Sequence, residues 1–187
     1  MSQSGIELLN KLRESALEDL RFFSNSGREA REHWVVSEFL RIQNVQFAED
    51  ELISYPLHSK VDVEFRDARF QVKEFLNPGI KRHRDAKERY EKLMSVNSVE
   101  NMVLPVFSYD VPPVAKIYDL ISAEAVSLAT SSKYMNEKSN LDLIFYVTRT
   151  HASLIKKDEI DYEHLYSVGW RSISCLAGKQ ATVMFAA

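Results

Sequence analysis

The segment KVDVEFRDARFQVKEF, residues 60–75, places polar side chains at alternate positions of two strand-like runs. Asp62 and Glu64 alternate with apolar residues in the first run, and Gln71 and Lys73 do so in the second. Because successive side chains of a strand point to opposite faces, the members of each pair share a face. That face is either exposed to solvent or part of a functional site, since enclosed charges must be paired, hydrogen-bonded or bound to a metal ion.

The short polar turn between the two runs predicts a β-hairpin. With Asp67–Ala68 as the tip of a two-residue turn, Asp62 lies opposite Lys73 and Glu64 lies opposite Gln71. Directly opposed side chains have Cβ atoms about 5 Å apart, so the four polar groups are neighbours on one face. The alternative is a solvated hairpin face on which Asp62 and Lys73 form a cross-strand ion pair.

A further carboxylate comes from the second predicted helix. At about 100° per residue, Glu38 lies within about 60° of the apolar residues Trp34 and Val35, so it is a candidate for pointing toward the sheet. Arg31 and Arg41 share that sector of the helix. The alternative interpretation is a surface glutamate that pairs with one of these arginines.

The other segments predict an α/β fold. Two capping-box patterns, Ser4-Gly5-Ile6-Glu7 and Ser26-Gly27-Arg28-Glu29, predict the starts of two helices. The later segments comprise three strands, a helix, a strand, two helical stretches and three strands: ELISYPL, KVDVEF, ARFQVKEF, IKRHRDAKERYEKLMSV, NMVLPVFSY, VAKIYDLI, AEAVSLATSSKYM, LDLIFYVTRT, YSVGWRSISCL and ATVMFAA. A helix between the hairpin and the next strand predicts a crossover within one mixed central sheet that has helices on both faces.

Length and composition predict one globular domain over residues 1–187. Hydrophobic residues make up 45% of the chain and charged residues 27%, as in ordinary globular proteins. The net charge of −3 excludes a global field that attracts nucleic acid, so such a partner needs a local basic patch. A charged N-terminus, short apolar runs and the single cysteine, Cys175, predict a soluble cytoplasmic protein without a signal peptide or membrane span.

The order of these residues resembles the PD-(D/E)XK superfamily of restriction-endonuclease-like nucleases. The matching residues are Glu38 on a helix, Asp62 on a strand, and Gln71 and Lys73 on its hairpin partner. The resemblance covers about residues 28–110 and implies a restriction-endonuclease-like core. The N-terminal helix and the C-terminal helix and strands are additions to it, and the whole chain resembles an uncharacterised bacterial family grouped with that superfamily.

The resemblance implies a metal-dependent endonuclease that acts on DNA. Asp62 would hold Mg²⁺ or Mn²⁺, Glu38 would add a ligand directly or through water, and Lys73 would orient the attacking water or neutralise phosphate. Gln71 departs from the acidic residue of many relatives, and its carbonyl oxygen is a possible ligand that brings no charge. Our own hypothesis is that Glu64, on the same face, supplies the missing charge and binds the metal ion.

Six basic and three acidic side chains lie between residues 80 and 92. We expect the side chains of Lys81, Arg82, Arg84 and Lys87, together with Arg41, to bind nucleic-acid phosphates in a salt-dependent way. The alternative is a solvated helix whose charges pair at a spacing of four residues.

Two other functions are compatible with these residues. The first is a catalytically inactive nuclease fold that binds nucleic acid, which the neutral Gln71 and the acidic net charge favour. The second is a protein-interaction module in which the polar hairpin face is solvated. Cleavage of DNA, binding without cleavage, or neither would distinguish the three.

Overall fold

The computed structural model describes residues 3–102, 114–149, 152–153 and 155–187. The chain divides into two compact units. One unit consists of Met1–Arg31 and Gly79–Asp110, and the other of Glu32–Pro78 and Val111–Ala187. The expectation of one domain over residues 1–187 stays a prediction.

Five α-helices lie in the described ranges. They are α1 (Gln3–Phe22), α2 (Arg28–Ile42), α3 (Arg82–Ser95), α4 (Ile117–Thr130) and α5 (Tyr162–Val168). None of these helices is long and apolar enough to cross a membrane. Both predicted N-caps are wrong, because α1 already includes Ser4 and α2 begins after Gly27 rather than Ser26. Glycine is required before α2, since a Cβ on Gly27 would lie 2.3 Å from the carbonyl oxygen of Arg21.

Eight β-strands accompany the helices within the described ranges. They are β1 (Leu52–Ser54), β2 (Val63–Phe65), β3 (Ala68–Phe75), β4 (Ala115–Lys116), β5 (Asp142–Val147), β6 (Ala152–Ser153), β7 (Ser172–Ala177) and β8 (Gln180–Ala186). Six of them form one sheet in the order β1-β2-β3-β5-β7-β8, and β4 pairs with β6. Within the six-stranded sheet, β3, β5 and β7 run parallel and the other neighbours run antiparallel, so the predicted mixed sheet is confirmed. The predicted strand NMVLPVFSY lies outside the described residues after Met102.

The segment YSVGWRSISCL begins as helix, so the prediction of a strand over its whole length is wrong. Asp161 caps α5 by accepting a hydrogen bond from the backbone N–H of His164. Gly169 ends the helix with φ at 86°, the left-handed conformation that favours glycine. Strand β7 starts only at Ser172, beyond this cap.

Helices pack on both faces of the sheet, as predicted. One face is covered by α2, in a cluster that includes Val35, Val36, Phe39, Val63, Phe70, Val72 and Ile144. The other is covered by α4 and α5, in a cluster that includes Ile117, Ile121, Ala125, Leu143, Phe145, Leu165 and Ile173. Because side chains alternate along β3, Gln71 and Lys73 point to the α4 side of the sheet.

The tip of the hairpin is Arg66–Asp67, one position earlier than the predicted Asp67–Ala68. Phe65 faces Ala68 across the two-residue turn. Arg66 has φ at 54°, the left-handed conformation that such a tight turn requires. An arginine does not predict this conformation, unlike a glycine or an asparagine.

This turn changes the predicted partners of the polar residues. Val63 faces Phe70, and the side chain of Asp62, which lies just before β2, bonds Gln71. The predicted position of Lys73 directly opposite Asp62 is therefore wrong, because it required Asp67–Ala68 as the turn. Gln71 and Lys73 share a face as predicted, because they are two positions apart on β3.

A buried carboxylate ties the hairpin turn to the parallel strands. Asp142, at the start of β5, accepts hydrogen bonds from Arg171 Nε at 2.9 Å and Ser172 Oγ at 2.6 Å. It also accepts from Arg171 Nη2 and from the backbone N–H of Arg69 on β3. Arg171 Nη1 donates to the carbonyl of Asp67 in the turn at 2.7 Å. The hydrogen bond with Asp142 raises the pKa of Arg171.

The other unit contains a small core between α1 and α3. Leu9, Ala16 and Leu93 are buried together there. Arg13 of α1 closes the end of α3 by donating to the carbonyls of Leu93 at 3.1 Å and Val96 at 2.5 Å. These two bonds satisfy carbonyl groups that a helix end leaves without a partner.

Candidate functional site

Asp62 occupies the point where the hairpin ladder ends. Its backbone N–H donates to the carbonyl of Phe70 at 2.8 Å, but β2 begins only at the next residue. Its side chain replaces a ladder bond, because Oδ2 accepts from the backbone N–H of Val72 at 2.8 Å. The residue is only 3% exposed. The fold therefore buries this carboxylate and fixes its orientation through the backbone of the neighbouring strand.

Gln71 joins Asp62 to a residue that the sequence did not indicate. Its Nε2 donates to Asp62 Oδ2, and its Oε1 accepts from the hydroxyl of Tyr134 at 2.6 Å. Gln71 is 0% exposed and Tyr134 is 2% exposed. Asp62, Gln71 and Tyr134 thus form a continuous buried hydrogen-bonded chain, here called the Asp62–Gln71–Tyr134 network.

Tyr134 lies in the segment AEAVSLATSSKYM, which was predicted to be helical throughout. Helix α4 ends at Thr130, and Tyr134 lies in the turns that follow it. Its ring packs against Trp170, with the centroids 5.6 Å apart. Nothing in the local sequence separates this tyrosine from any other core aromatic residue. Its role follows only from the long-range contact with Gln71.

Lys73 stands on the same face as Gln71, two positions further along β3. Its Nζ lies 5.5 Å from the centre of the Tyr134 ring, and Nζ of Lys133 lies 4.9 Å from it. Both distances fit cation–π contacts. Lys73 is partly exposed whereas Gln71 is fully buried, so this side of the network carries positive charge toward solvent.

Glu38 is not brought together with this network. Its carboxylate pairs with Arg41 at 2.5 Å, and Arg41 also bonds Glu49 at 2.5 Å. The hydrogen bond with Glu38 is the largest cause of a raised pKa at Arg41. The buried residues of α2 cover the Val72 side of the sheet, which is opposite to the side of Gln71. The alternative of a glutamate paired with a neighbouring arginine is therefore the arrangement found.

Glu64 is engaged elsewhere on the hairpin. It accepts from the hydroxyl of Tyr55 at 3.0 Å, and this bond raises the pKa of Tyr55. In the same unit, Lys60 forms an ion pair with Glu137. In the described part of the chain, no three His, Cys, Asp or Glu side chains are grouped so as to hold a metal ion.

The predicted nucleic-acid-binding residues of α3 belong to the other unit. Arg82 stacks its guanidinium 4.9 Å from the ring centre of Phe23, and Lys81 stands immediately before the helix. Arg84 pairs with Glu88 at 3.7 Å, and Lys87 pairs with Glu91 at the same distance, both four residues apart. The alternative of internal pairing is thus confirmed for these two residues. Exposed pairs of this kind contribute little and can be exchanged for phosphate, so binding of nucleic acid stays a prediction.

A family model matches residues 5–187, and the family is described as "Putative endonuclease, protein of unknown function (DUF1780)". The chain belongs to this family. The endonuclease in that description agrees with the nuclease prediction at the level of the family, and membership of the PD-(D/E)XK superfamily stays a prediction. No curated protein matches the sequence significantly.

A solved structure supports the fold of this family member. It is a protein of unknown function from Pseudomonas aeruginosa strain PAO1, described as belonging to a monooxygenase superfamily. The two chains share 22% identity, the TM-score is 0.57, and the match covers 100% of this chain and 87% of that chain. At this identity the likeness concerns the architecture alone.

The donor types at the network fit a hard divalent cation. Mg²⁺ prefers oxygen ligands, keeps several of its waters and is often bound through one or two carboxylates. Asp62 offers a carboxylate and Gln71 offers a carbonyl oxygen on the same face. In the arrangement found, however, the amide presents Nε2 rather than Oε1 to Asp62. The residues fit the ion once that amide turns over.

Proposed function

We propose that the protein is a metal-dependent endonuclease that hydrolyses phosphodiester bonds of DNA at Asp62, Gln71 and Lys73. The observation that carries the proposal is the convergence of Asp62 and Gln71 from two neighbouring strands, with Lys73 next to them on the same face. The endonuclease named in the family description supports the same reaction class.

Each residue has a distinct part in this proposal. Asp62 and the carbonyl of Gln71 would hold Mg²⁺ or Mn²⁺, and Asp62 is preoriented by the Val72 N–H. A bound ion of this kind acidifies a water molecule and stabilises charge on the leaving oxygen. Lys73 contributes a compact positive charge that neutralises the phosphate group. An ammonium group on a flexible side chain is suited to this role. Glu38 is left out because Arg41 engages its carboxylate on the other side of the sheet.

Affinity for DNA would come from the basic side chains outside the network. Lys81, Arg82, Arg84, Lys87 and Arg41 are the residues expected to contact phosphates. Each contact with duplex DNA adds about −0.9 to the slope of log affinity against log salt concentration. Steep weakening of binding by salt is therefore the expected signature of these residues.

A second candidate is a nuclease-like fold that binds DNA without cutting it. The observation that favours it is that the network residues already hydrogen-bond one another. Gln71 Nε2 donates to Asp62, and the hydroxyl of Tyr134 donates to Gln71 Oε1. Asp62 and Gln71 are also almost completely buried. Such a network can serve only to position the hairpin, in which case a cation would not be needed.

The test compares wild-type protein with Lys73→Ala and Asp62→Asn on plasmid and single-stranded DNA, with Mg²⁺, Mn²⁺ or chelator. Lys179→Ala is the matched control, since this lysine lies exposed in the turn between β7 and β8. We expect metal-dependent cleavage that falls at least about 100-fold in both site variants, as when a charge-stabilising group is removed, and persists in the control. Salt-sensitive retardation of DNA without cleavage would instead support the second candidate, and neither effect would leave a protein-interaction module.

A further inference from the structure

We infer that Lys133 and Arg69 extend the positive charge of Lys73 into a surface that binds the phosphate backbone of nucleic acid. The inference rests on the proposed function for the kind of anion, and it does not depend on a metal ion. This surface is distinct from the phosphate contacts expected of α3 and Arg41. Helix α3 belongs to the other unit, and Arg41 lies on α2, which covers the opposite face of the sheet.

Two lysine side chains converge on one aromatic ring. Nζ of Lys73 lies 5.5 Å from the centre of the Tyr134 ring, and Nζ of Lys133 lies 4.9 Å from it. They come from different parts of the chain, since Lys73 lies on β3 and Lys133 lies in the turns after α4. Like charges held near one another repel, and a bound anion relieves that repulsion. The fold therefore creates a favourable place for an anion beside Lys73.

Arg69 and Lys60 continue the positive charge on this side of the hairpin. Arg69 lies four positions before Lys73 on β3, so the two side chains point to the same face of the sheet. Lys60 forms an ion pair with Glu137, which belongs to the same turns as Lys133. The hydrogen bond from Lys60 lowers the pKa of Glu137, and the charge of Arg69 adds to this effect. Arg69 therefore also lies near these turns.

The charge balance of this surface is positive. Within the described ranges it comprises four basic and two acidic side chains, a surplus of two positive charges: Lys60, Arg69, Lys73, Lys133, Glu64 and Glu137. Asp62 is only 3% exposed, so its carboxylate lies behind this surface. A chain with a net charge of −3 needs such a local surplus in order to attract nucleic acid.

Lys133 is exposed, although the backbone that carries it is anchored. The backbone N–H groups of Tyr134 and Met135 donate to the carbonyl of Ser131 at 3.1 and 3.0 Å. Tyr134 is itself 2% exposed and packs on Trp170 with the ring centroids 5.6 Å apart. Lys133 thus presents a compact, accessible ammonium from a fixed position, which suits contact with a phosphate group. The alternative is a solvated lysine that contacts only the ring.

The test measures the affinity for fluorescently labelled duplex DNA over a range of salt concentrations, in chelator so that cleavage does not interfere. The proteins are wild type, Lys133→Gln, Lys133→Arg and the double variant Lys133→Gln/Arg69→Gln. We expect Lys133→Gln to weaken binding about three- to tenfold at low salt, as for the loss of one hydrogen bond. It should also make the slope of log affinity against log salt concentration shallower by about 0.9. The double variant should lose about twice that slope, whereas Lys133→Arg keeps the charge and should bind like the wild type.

Lys179→Gln is the matched control, because it removes the same charge from the exposed turn between β7 and β8. Its affinity and salt slope should equal those of the wild type. Lys133 is exposed, so its replacement should also leave the midpoint of urea unfolding unchanged. Unchanged binding in Lys133→Gln, or an equal loss in Lys133→Gln and Lys179→Gln, would overturn the inference.

Binding and cleavage separate this inference from the proposed function. If the wild type binds DNA but does not cut it with Mg²⁺ or Mn²⁺, the proposed function fails, and the salt slope of Lys133→Gln still decides the inference. If the wild type cuts DNA and Lys133→Gln binds with an unchanged slope, the proposed function stands and the inference is wrong. A wild type that binds no DNA even at low salt also overturns the inference.

Discussion

Replacement of Gln71 by glutamate gives the sharpest test of the buried network. The wild-type amide donates to Asp62, so the pair is stable without any ion. Gln71→Glu removes this donor and places a second carboxylate against the first, at a position that is 0% exposed. The variant should therefore depend on a proton or a divalent cation for its stability, whereas the wild type should not.

Two routes give the size of the effect. Like charges about 4 Å apart repel by about 4 kcal/mol at an effective dielectric constant near 20. The pair can escape by binding one proton, and holding a carboxyl of ordinary pKa near 4.3 protonated costs about 1.4 kcal/mol per pH unit, or about 3.7 kcal/mol at pH 7. The free energy of unfolding in chelator should thus fall by about 3–4 kcal/mol at pH 7.

The dependence on pH has a definite sign. In the folded variant the pKa of the new carboxyl is raised above its unfolded value by the neighbouring charge and by burial. The penalty is therefore absent below the unfolded pKa and grows as the pH rises toward the folded pKa. Urea unfolding should show near wild-type stability close to pH 4.5 and a loss of about 1.4 kcal/mol for each further pH unit up to neutrality.

Divalent cations should restore the variant at neutral pH. An ion at 100 times its dissociation constant stabilises the folded state by about 2.7 kcal/mol. Gln180→Glu is the control for the substitution itself, because Gln180 is exposed at the start of β8. A Gln71→Glu variant that is as stable as the wild type at every pH, and indifferent to Mg²⁺ and Mn²⁺, would refute the reasoning.

Two other predictions concern residues outside the network. Arg171→Ala should lower the free energy of unfolding, measured in urea, by about 2–3 kcal/mol, because it leaves the buried Asp142 without its guanidinium partner. The loss is smaller than for a fully buried ion pair because Arg171 is partly exposed. Arg66→Ala, which breaks an exposed pair with Glu51, should lower the stability much less, and equal losses in the two variants would contradict the role assigned to Arg171 and Asp142. Burial raises the pKa of Cys175 to about 12, so the thiol should not react with a disulfide reagent at pH 8 until urea unfolds the protein. Rapid reaction of the folded protein would contradict this burial.

The approach of Asp62 to Gln71 could be predicted from sequence because two strand-like runs joined by a short turn pair as a hairpin. The register could not, since it depends on which two residues form the turn. Arg66 adopts a left-handed conformation there although no glycine or asparagine marks the position. The mixed sheet with helices on both faces was predicted correctly because apolar runs and helical patterns alternate along the chain.

The remaining parts of the site depend on distant contacts. The apolar neighbours of Glu38 on its helix suggested a direction toward the sheet, but Trp34 is itself exposed and packs edge-on against Tyr146. The helix angle alone could not reveal that Arg41 and Glu49 would complete an ion-pair network on the outside. Tyr134 meets Gln71 across 63 positions of sequence, which no local pattern predicts.

The hydrogen bonds around Asp142 and Arg171 also affect how the protein unfolds locally. One carboxylate holds the backbone of β3, the first residue of β7 and, through Arg171, the hairpin turn. Fraying of the hairpin would leave this charge without its partners, so partial unfolding there carries much of the cost of global unfolding. The hairpin and the parallel strands therefore behave as one cooperative unit, and Asp62 and Gln71 stay in register for as long as β5 and β7 remain folded.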